Sequence, residues 1–137
     1  MPSVDPTSEQ LAALAALPDP PAPLAMLNLL RFRDEAAYPE GVDAEPCSGA
    51  HAYRRYGAAA SGPLAAAGGR VLWMGAAELA VIAPEGEDWD EVLLVEYPSR
   101  DAFLGMLATP EYQAAVPHRR AALADSRLIL TRPADLP

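Results

Sequence analysis

Asn28, His118 and Arg119 are the side chains whose types and positions best suit chemistry on a small molecule. Asn28 interrupts an otherwise apolar segment, and a buried amide without hydrogen-bond partners costs about 1–3 kcal/mol. Arg119 falls on the apolar stripe of a predicted helix, where a guanidinium can bind a carboxylate or an enolate through two hydrogen bonds. His118 has an intrinsic pKa that suits a general base near neutrality. One hypothesis is that Asn28 and Arg119 polarise a carbonyl or enolate while His118 moves a proton.

Each of these three residues also has a structural interpretation. A backbone group or Arg119 could satisfy the amide of Asn28, and Arg119 could pair with Glu96 or with a helix end. His118 lies about 240° from Tyr112 on a helical wheel, which favours a position on the helix flank facing solvent. Both interpretations stay open at this point.

Further side chains are expected to line a cleft around these three. They are Tyr53, Tyr56, Trp73, Glu96, Tyr97 and Tyr112. The alternative is that the tyrosines are core or interface aromatics whose hydroxyls reach the rim.

Several other kinds of chemistry lack their usual motifs in this sequence. It contains no Walker loop, GxGxxG, nucleophile elbow or HExxH pattern, which removes the usual support for nucleotide, hydrolase and zinc-protease functions. Two histidines without a nearby acidic cluster at ligand spacing make a metal site improbable. No cofactor and no metal are therefore predicted.

Composition indicates one domain with no polyanionic partner. The 137 residues suffice for a core, and 19 acidic against 10 basic side chains give a net charge of −9. Nucleic-acid binding depends on clustered basic side chains, so it is not expected. No apolar run approaches the roughly 20 residues that span a bilayer, and no signal peptide is recognisable. Cys47 has no second cysteine with which to form an intramolecular disulfide, which fits a reducing cytoplasm.

The chain begins with an expected arm, residues 1–23, attached to a domain that spans 24–137. Thr7 and Gln10 form a capping-box pattern before an alanine- and leucine-rich helix. A proline-rich connector follows, and such a segment is stiff and extended. The arm is expected either to pack on a neighbouring surface or to fray in solvent.

Hydrophobic periodicity predicts the order βαββαβ in the domain, with a long loop at 33–49. The expected strands cover 24–32, 70–82, 92–95 and 127–131. The expected helices cover 50–67 and 100–107, and a further helix begins at residue 110. This order is that of an α+β, ferredoxin-like antiparallel sheet with the helices on one face.

The opposite sheet face is also expected to be apolar. Trp73, Val92 and Leu94 fall there with residues of the first strand, and leaving them in water costs about 25 cal/mol per Å². We therefore predict a homodimer in which two sheets face each other.

Five segments together resemble the DUF1330 family within the dimeric α/β barrel superfamily. They are MLNLLRF (26–32), AYRRYG (52–57), GGRVLWMG (68–75), VEYPSRDAFLGM (95–106) and PEYQAAVPHRRAAL (110–123). The resemblance covers about residues 24–132 and implies a ferredoxin-like protomer, a two-sheet barrel dimer and small, mostly apolar ligands. Some members of other families in the superfamily are cofactor-free oxygenases, isomerases or haem-degrading enzymes, which is an analogy of fold.

Three functional hypotheses follow from the residues and the resemblance. The first is a cofactor-independent enzyme, of oxygenase or isomerase type, acting on a small organic acid or aromatic. The second is a protein that binds such a ligand without turnover. The third is a homodimer whose polar positions only organise structure.

Overall fold

The computed structural model describes residues 2–135, and the two ends of the predicted arm and domain, residues 1 and 136–137, lie outside that range. Four helices and four strands follow one another along the chain. They are α1 (Ser8–Ala16), β1 (Leu24–Phe32), α2 (Gly49–Ala66), β2 (Arg70–Ala76), β3 (Glu91–Tyr97), α3 (Arg100–Leu107), α4 (Pro110–Ala122) and β4 (Leu123–Thr131).

The strands form one antiparallel sheet in the order β2-β3-β1-β4. Two βαβ units, β1-α2-β2 and β3-α3/α4-β4, interleave so that β1 and β3 lie at the centre. The predicted α+β, ferredoxin-like fold is confirmed.

Hydroxyl side chains fix where the helices begin. Thr7 and Gln10 form the predicted capping box of α1, while Ser48, Ser99 and Thr109 accept hydrogen bonds from the first turns of α2, α3 and α4. These caps occupy backbone N–H groups that have no partner inside the helix.

The largest differences from the expected strand boundaries are at the end of β2 and the start of β4. β2 ends at Ala76 and not at Ile82. The backbone N–H of Ala77 still donates to Asp90, but no neighbouring strand continues alongside residues 77–82 in the described chain. The pairing of β2 with β3 is irregular between Val71 and Trp73. β4 begins at Leu123, earlier than predicted.

Burial alternates along the central strands, which assigns each residue to a face. In β1, Leu24, Met26, Asn28 and Leu30 are buried on the helix side. Paired residues in an antiparallel sheet point to the same side. The register therefore places Trp73, Leu94, Leu27 and Ile129 in one row across the four strands on the outer side.

Arg100 attaches the arm to the domain. Its guanidinium donates to the carbonyl oxygens of Leu14, Ala15 and Leu17 at the end of α1, over 3.0, 2.6 and 2.6 Å. A cation at a helix C-terminus binds the carbonyls that lack partners there and complements the helix dipole.

Asp19 completes this attachment from the connector side. Its carboxylate accepts from the backbone N–H groups of Arg100 and Asp101 and pairs with Arg132. The Arg100 N–H bond is the main reason that the pKa of Asp19 lies below its usual 3.8, with the Asp101 N–H and Arg132 acting in the same direction against desolvation.

Asp19→Asn is expected to lower the melting temperature by a few degrees at pH 7. A depressed pKa in the folded state stabilises the fold above the unfolded pKa, and this contribution disappears as pH falls through the folded pKa. The difference from wild type should therefore shrink below pH 3.8. Differential scanning calorimetry across pH tests this, with the exposed Asp43→Asn as control. A deficit that is the same at pH 7 and at the lowest pH would contradict it.

No helix within residues 2–135 is both long and apolar enough to cross a membrane.

Candidate functional site

A cleft of about 760 Å³ lies between the sheet and the helices. Its floor consists of two rows of side chains that cross all four strands on the helix side. One row is Met74, Leu93, Asn28 and Leu128, and the other is Val71, Val95, Met26 and Leu130. Seven of these eight positions are apolar, so Asn28 is the polar exception.

α2 and α4 pack against each other, and the cleft lies between these helices and the strands. Small residues on α2, Gly57 and Ala60, line the space that larger side chains would fill. Val71 and Leu128, on the two edge strands, stay 49% and 46% exposed, so the cleft opens at its sides.

Tyrosines from α2 and α4 form the roof. The hydroxyls of Tyr56 and Tyr112 lie 2.9 Å apart, and Tyr53 packs against Tyr56 with ring centroids 5.2 Å apart. Desolvation raises the pKa of Tyr53 to about 12 and also raises that of Tyr56, so both phenols are neutral at pH 7. The positive charge of Arg119 opposes both increases in pKa.

Asn28 is held by its amide nitrogen. Its Nδ2 donates to the carbonyl oxygens of Met26 and Leu93 over 3.4 and 3.3 Å, while its Oδ1 accepts no hydrogen bond from residues 2–135. The residue is 9% exposed and lines the cleft. The amide is therefore fixed in place with an unused acceptor.

Arg119 approaches the cleft from α4 and contacts the arm. Its Nη1 donates to the carbonyl oxygen of Val4. Two further bonds hold the same stretch of arm, from Ser3 N to Asp125 and from Ser126 Oγ to the carbonyl of Ser3. Residues 3–6 thereby become part of the cleft wall.

An ion pair between an exposed arginine and a buried glutamate lies beside the cleft. Arg54 lines it and donates to Glu91 Oε1 over 3.2 Å, while Glu91 is 6% exposed. The second carboxylate oxygen, Oε2, is buried and has no partner in the described chain. The pair neutralises the Arg54 charge at the cleft edge.

The structure brings six of the nine sequence-predicted site residues together around the cleft. They are Asn28, Tyr53, Tyr56, Tyr97, Tyr112 and Arg119. Tyr97 is buried, and its hydroxyl points to Met106 Sδ at 3.9 Å.

The other three predicted site residues lie elsewhere. Trp73 is on the outer face of the sheet and is 64% exposed. Glu96 is also on the outer face and pairs with Arg70 over 2.9 Å. His118 does not line the cleft, because its Nδ1 lies 2.7 Å from the hydroxyl of Tyr38.

The His118 contact connects α4 to the long loop. Arg55 donates to the same Tyr38 hydroxyl over 3.3 Å and to the carbonyl of Glu45 over 3.1 Å. This arrangement of His118, Tyr38 and Arg55 secures the loop and leaves the proposed proton-shuttling role of His118 without geometric support.

Sequence reasoning missed the contribution of the arm to the cleft. The capping box and connector predict a helix and an extended segment, but neither contains a signal for where they pack. Glu91 and Arg54 were also missed, although a glutamate opening an apolar strand was a usable signal for a buried acid that needs a cation.

Residues 2–135 contain no group of three or more histidine, cysteine or acidic side chains placed to hold a metal ion.

Comparison with known families adds an assignment. The family model described as "Domain of unknown function (DUF1330)" matches residues 47–132, more than half of the chain. The chain belongs to the DUF1330 family. The resemblance seen in the sequence is thereby confirmed.

Solved structures of similar proteins agree with the fold. A protein of unknown function from Rhodopseudomonas palustris is 43% identical, with 99% of this chain and 100% of that chain covered and a TM-score of 0.90. A hydroxynitrile lyase from Passiflora edulis is 11% identical, with 86% and 100% covered and a TM-score of 0.55. A NIPSNAP-like domain protein from Burkholderia xenovorans is 16% identical, with 85% and 90% covered and a TM-score of 0.50.

The last two likenesses show the fold alone. Comparison with curated proteins found no match.

Proposed function

We propose that this DUF1330 protein binds a small, largely apolar organic molecule in the cleft between the sheet and helices α2 and α4. The observation that carries the proposal is an apolar cleft of about 760 Å³ containing polar atoms without protein partners among residues 2–135, Asn28 Oδ1 and the Tyr53 hydroxyl. Ligand sites are typically concave and apolar, with a few fixed polar groups that orient the ligand.

The proposed assembly is a homodimer formed through the outer sheet faces. The row of Trp73, Leu94, Leu27 and Ile129 gives this face a continuous apolar strip, and Trp73 and Ile129 are 64% and 48% exposed in the single chain. A second copy would remove this strip from water and leave the cleft, on the other side of the sheet, free for a ligand.

Ligand binding is expected to raise the melting temperature of the wild-type protein. A panel of small aromatic and aliphatic acids, amides and alcohols should contain compounds that stabilise it, since a ligand at 100 times its Kd contributes about 2.7 kcal/mol. Gly57→Phe should abolish this shift, because Gly57 lines the cleft and a phenyl ring there would occupy the space for the ligand. The protein should still fold, since an added Cβ meets no atom within 4 Å. Differential scanning fluorimetry measures both.

Gly105→Phe is the matched control. Gly105 also has no atom within 4 Å of an added Cβ, but it lies on α3 outside the cleft. The control should keep the ligand-induced shift. A panel that stabilises neither wild type nor control, or a shift that survives in Gly57→Phe, would contradict the proposal.

A second candidate function is turnover in the same cleft without a cofactor. The pair of hydroxyls on Tyr56 and Tyr112, 2.9 Å apart in the roof, favours it, because such a pair can pass a proton to or from a bound molecule. The hydroxynitrile lyase from Passiflora edulis shows that this fold can hold an enzyme. Incubation of each stabilising compound with the protein, followed by mass spectrometry, separates turnover from binding.

A further inference from the structure

Arg119 is one of three arginines without an acidic partner in the described chain, with Arg33 and Arg55, and it alone of the three lines the cleft. Seven of the ten arginines form ion pairs with aspartate or glutamate; they are Arg31, Arg54, Arg70, Arg100, Arg120, Arg127 and Arg132. Arg119 forms none with residues 2–135, in a chain with 19 acidic side chains, and its one hydrogen bond there goes to the Val4 carbonyl. A half-buried guanidinium without a counter-charge is unusual, since desolvated charges normally pair.

The other charges that face the cleft are already compensated. Arg54 pairs with Glu91, Arg127 with Asp125, and Asp5 with Arg120. Only the Arg119 charge is left over among the described cleft residues. The cleft therefore carries one unbalanced positive charge inside a protein whose net charge is −9.

We infer that the cleft takes amphipathic monocarboxylic acids, with Arg119 binding the carboxylate and the apolar sheet rows holding the body of the molecule. This inference rests on the proposed ligand-binding function and names the ligand class. The Tyr53 hydroxyl, on a residue 5% exposed and without a hydrogen-bond partner in the described chain, supplies a second donor among the residues that line the cleft.

The Val4 carbonyl occupies Arg119 in the absence of ligand. A carboxylate is a stronger acceptor for a guanidinium than a neutral carbonyl, because the bond is charge-assisted and can use both oxygens. The acid would replace the arm at Arg119, while the arm keeps its bonds from Ser3 to Asp125 and Ser126.

The size and lining of the cleft determine which chemical groups the rest of the ligand can carry. The floor rows are apolar except at Asn28, whose free Oδ1 would accept from a hydroxyl or N–H of the ligand. A dicarboxylate or a sugar acid would leave charges or hydroxyls against leucine, valine and methionine without partners, which costs free energy.

Isothermal titration calorimetry with acid and amide pairs tests the inference. The probes are hexanoate and hexanamide, phenylacetate and phenylacetamide, and 4-phenylbutyrate and 4-phenylbutanamide, at pH 7. Wild type should bind at least one acid about ten- to a hundredfold more tightly than its amide. Arg119→Met should reduce that ratio to about one, because it removes an ion pair that only the acids can form.

Arg33→Met is the control. It removes the same charge from an exposed side chain that lies outside the cleft and forms no ion pair with residues 2–135, so the charges that face the cleft stay as they are. It should keep the wild-type ratio of acid to amide affinity, and Arg119→Lys should keep part of it.

The outcomes separate this inference from the function on which it rests. Equal binding of acids and amides by wild type, a comparison that needs no variant, would overturn the acid preference and leave the cleft function standing. An acid preference that persists in Arg119→Met would overturn the assignment of Arg119. No binding by any compound here or in the thermal screen would overturn both.

Discussion

Trp73→Glu is expected to convert the protein from a dimer to a monomer at micromolar concentration. Trp73 begins the apolar row on the outer sheet face, next to Leu94, and is 64% exposed in the single chain. In a sheet-to-sheet dimer it would be a large buried anchor, and losing such an anchor typically weakens association by about 2 kcal/mol or more, or at least about thirtyfold. A glutamate there adds the cost of burying a charge opposite apolar side chains.

Sedimentation velocity between 1 and 100 µM, about two decades of concentration, covers the expected shift of about thirtyfold or more in dissociation constant. Val42→Asp is the control, because Val42 is also apolar and exposed, at 38%, but lies in the loop after β1. Wild type and Val42→Asp should sediment as dimers. A monomeric wild type would refute the assembly, and a dimeric Trp73→Glu would refute this interface.

The segment after β2 also bears on the assembly. Leu79, Val81 and Ile82 are 79%, 84% and 95% exposed in the single chain. They follow directly from the edge strand that carries Trp73. A second copy packed on the outer face would have these side chains at the border of its contact surface, which adds apolar area to the proposed interface.

The same segment shows where sequence reasoning fails. The pattern RVLWMGAAELAVI has strand composition to its end, and it predicted a strand from 70 to 82. Strand formation also requires a partner edge, and β3 begins at Glu91, opposite Ala76, so within residues 2–135 no strand lies beside residues 77–82. Composition describes what a segment can form, while pairing depends on residues distant in sequence.

The central strands were predictable for the opposite reason. β1 alternates without interruption, and its apolar faces required cover on both sides, so the position of Asn28 followed from the pattern alone. Its hydrogen bonds to Met26 and Leu93 did not follow, because they depend on the register between β1 and β3. Hydrogen-bond partners that are distant in sequence are defined only when the strands have paired.

Arg119 shows the same limit at the site. Its place on the apolar stripe of α4 indicated that the guanidinium faces the interior. The choice between a structural pair and a ligand contact depends on which carboxylates lie near it. The predicted partner Glu96 is on the other face of the sheet, and the observed partner is a backbone carbonyl 115 residues away. A helical wheel contains no information about either distance.

Gly49→Ala is expected to destabilise the fold by about 3 kcal/mol or more. Gly49 begins α2 where the end of β1, the end of α4 and the long loop meet. A Cβ added there would lie 2.2 Å from the carbonyl oxygen of Arg33 and 2.6 Å from that of Ala122. Both are backbone atoms, and Arg33 O also accepts from the Gly49 N–H over 3.0 Å, so relief of the clash breaks the closure of the loop.

Gly62→Ala provides the matched comparison on the same helix. An added Cβ at Gly62 meets no atom within 4 Å, so alanine should stabilise α2 by about 0.5–1 kcal/mol. Urea denaturation measures both changes. If Gly49→Ala costs no more than about 1 kcal/mol, the junction can open at low cost, and Tyr38, Arg55 and His118 would no longer hold the loop in a fixed position. If the cost is large, the long loop is part of the folded core. The loop then also determines the shape of the cleft, because α2, which begins at this junction, carries Tyr53 and Tyr56 into the cleft wall.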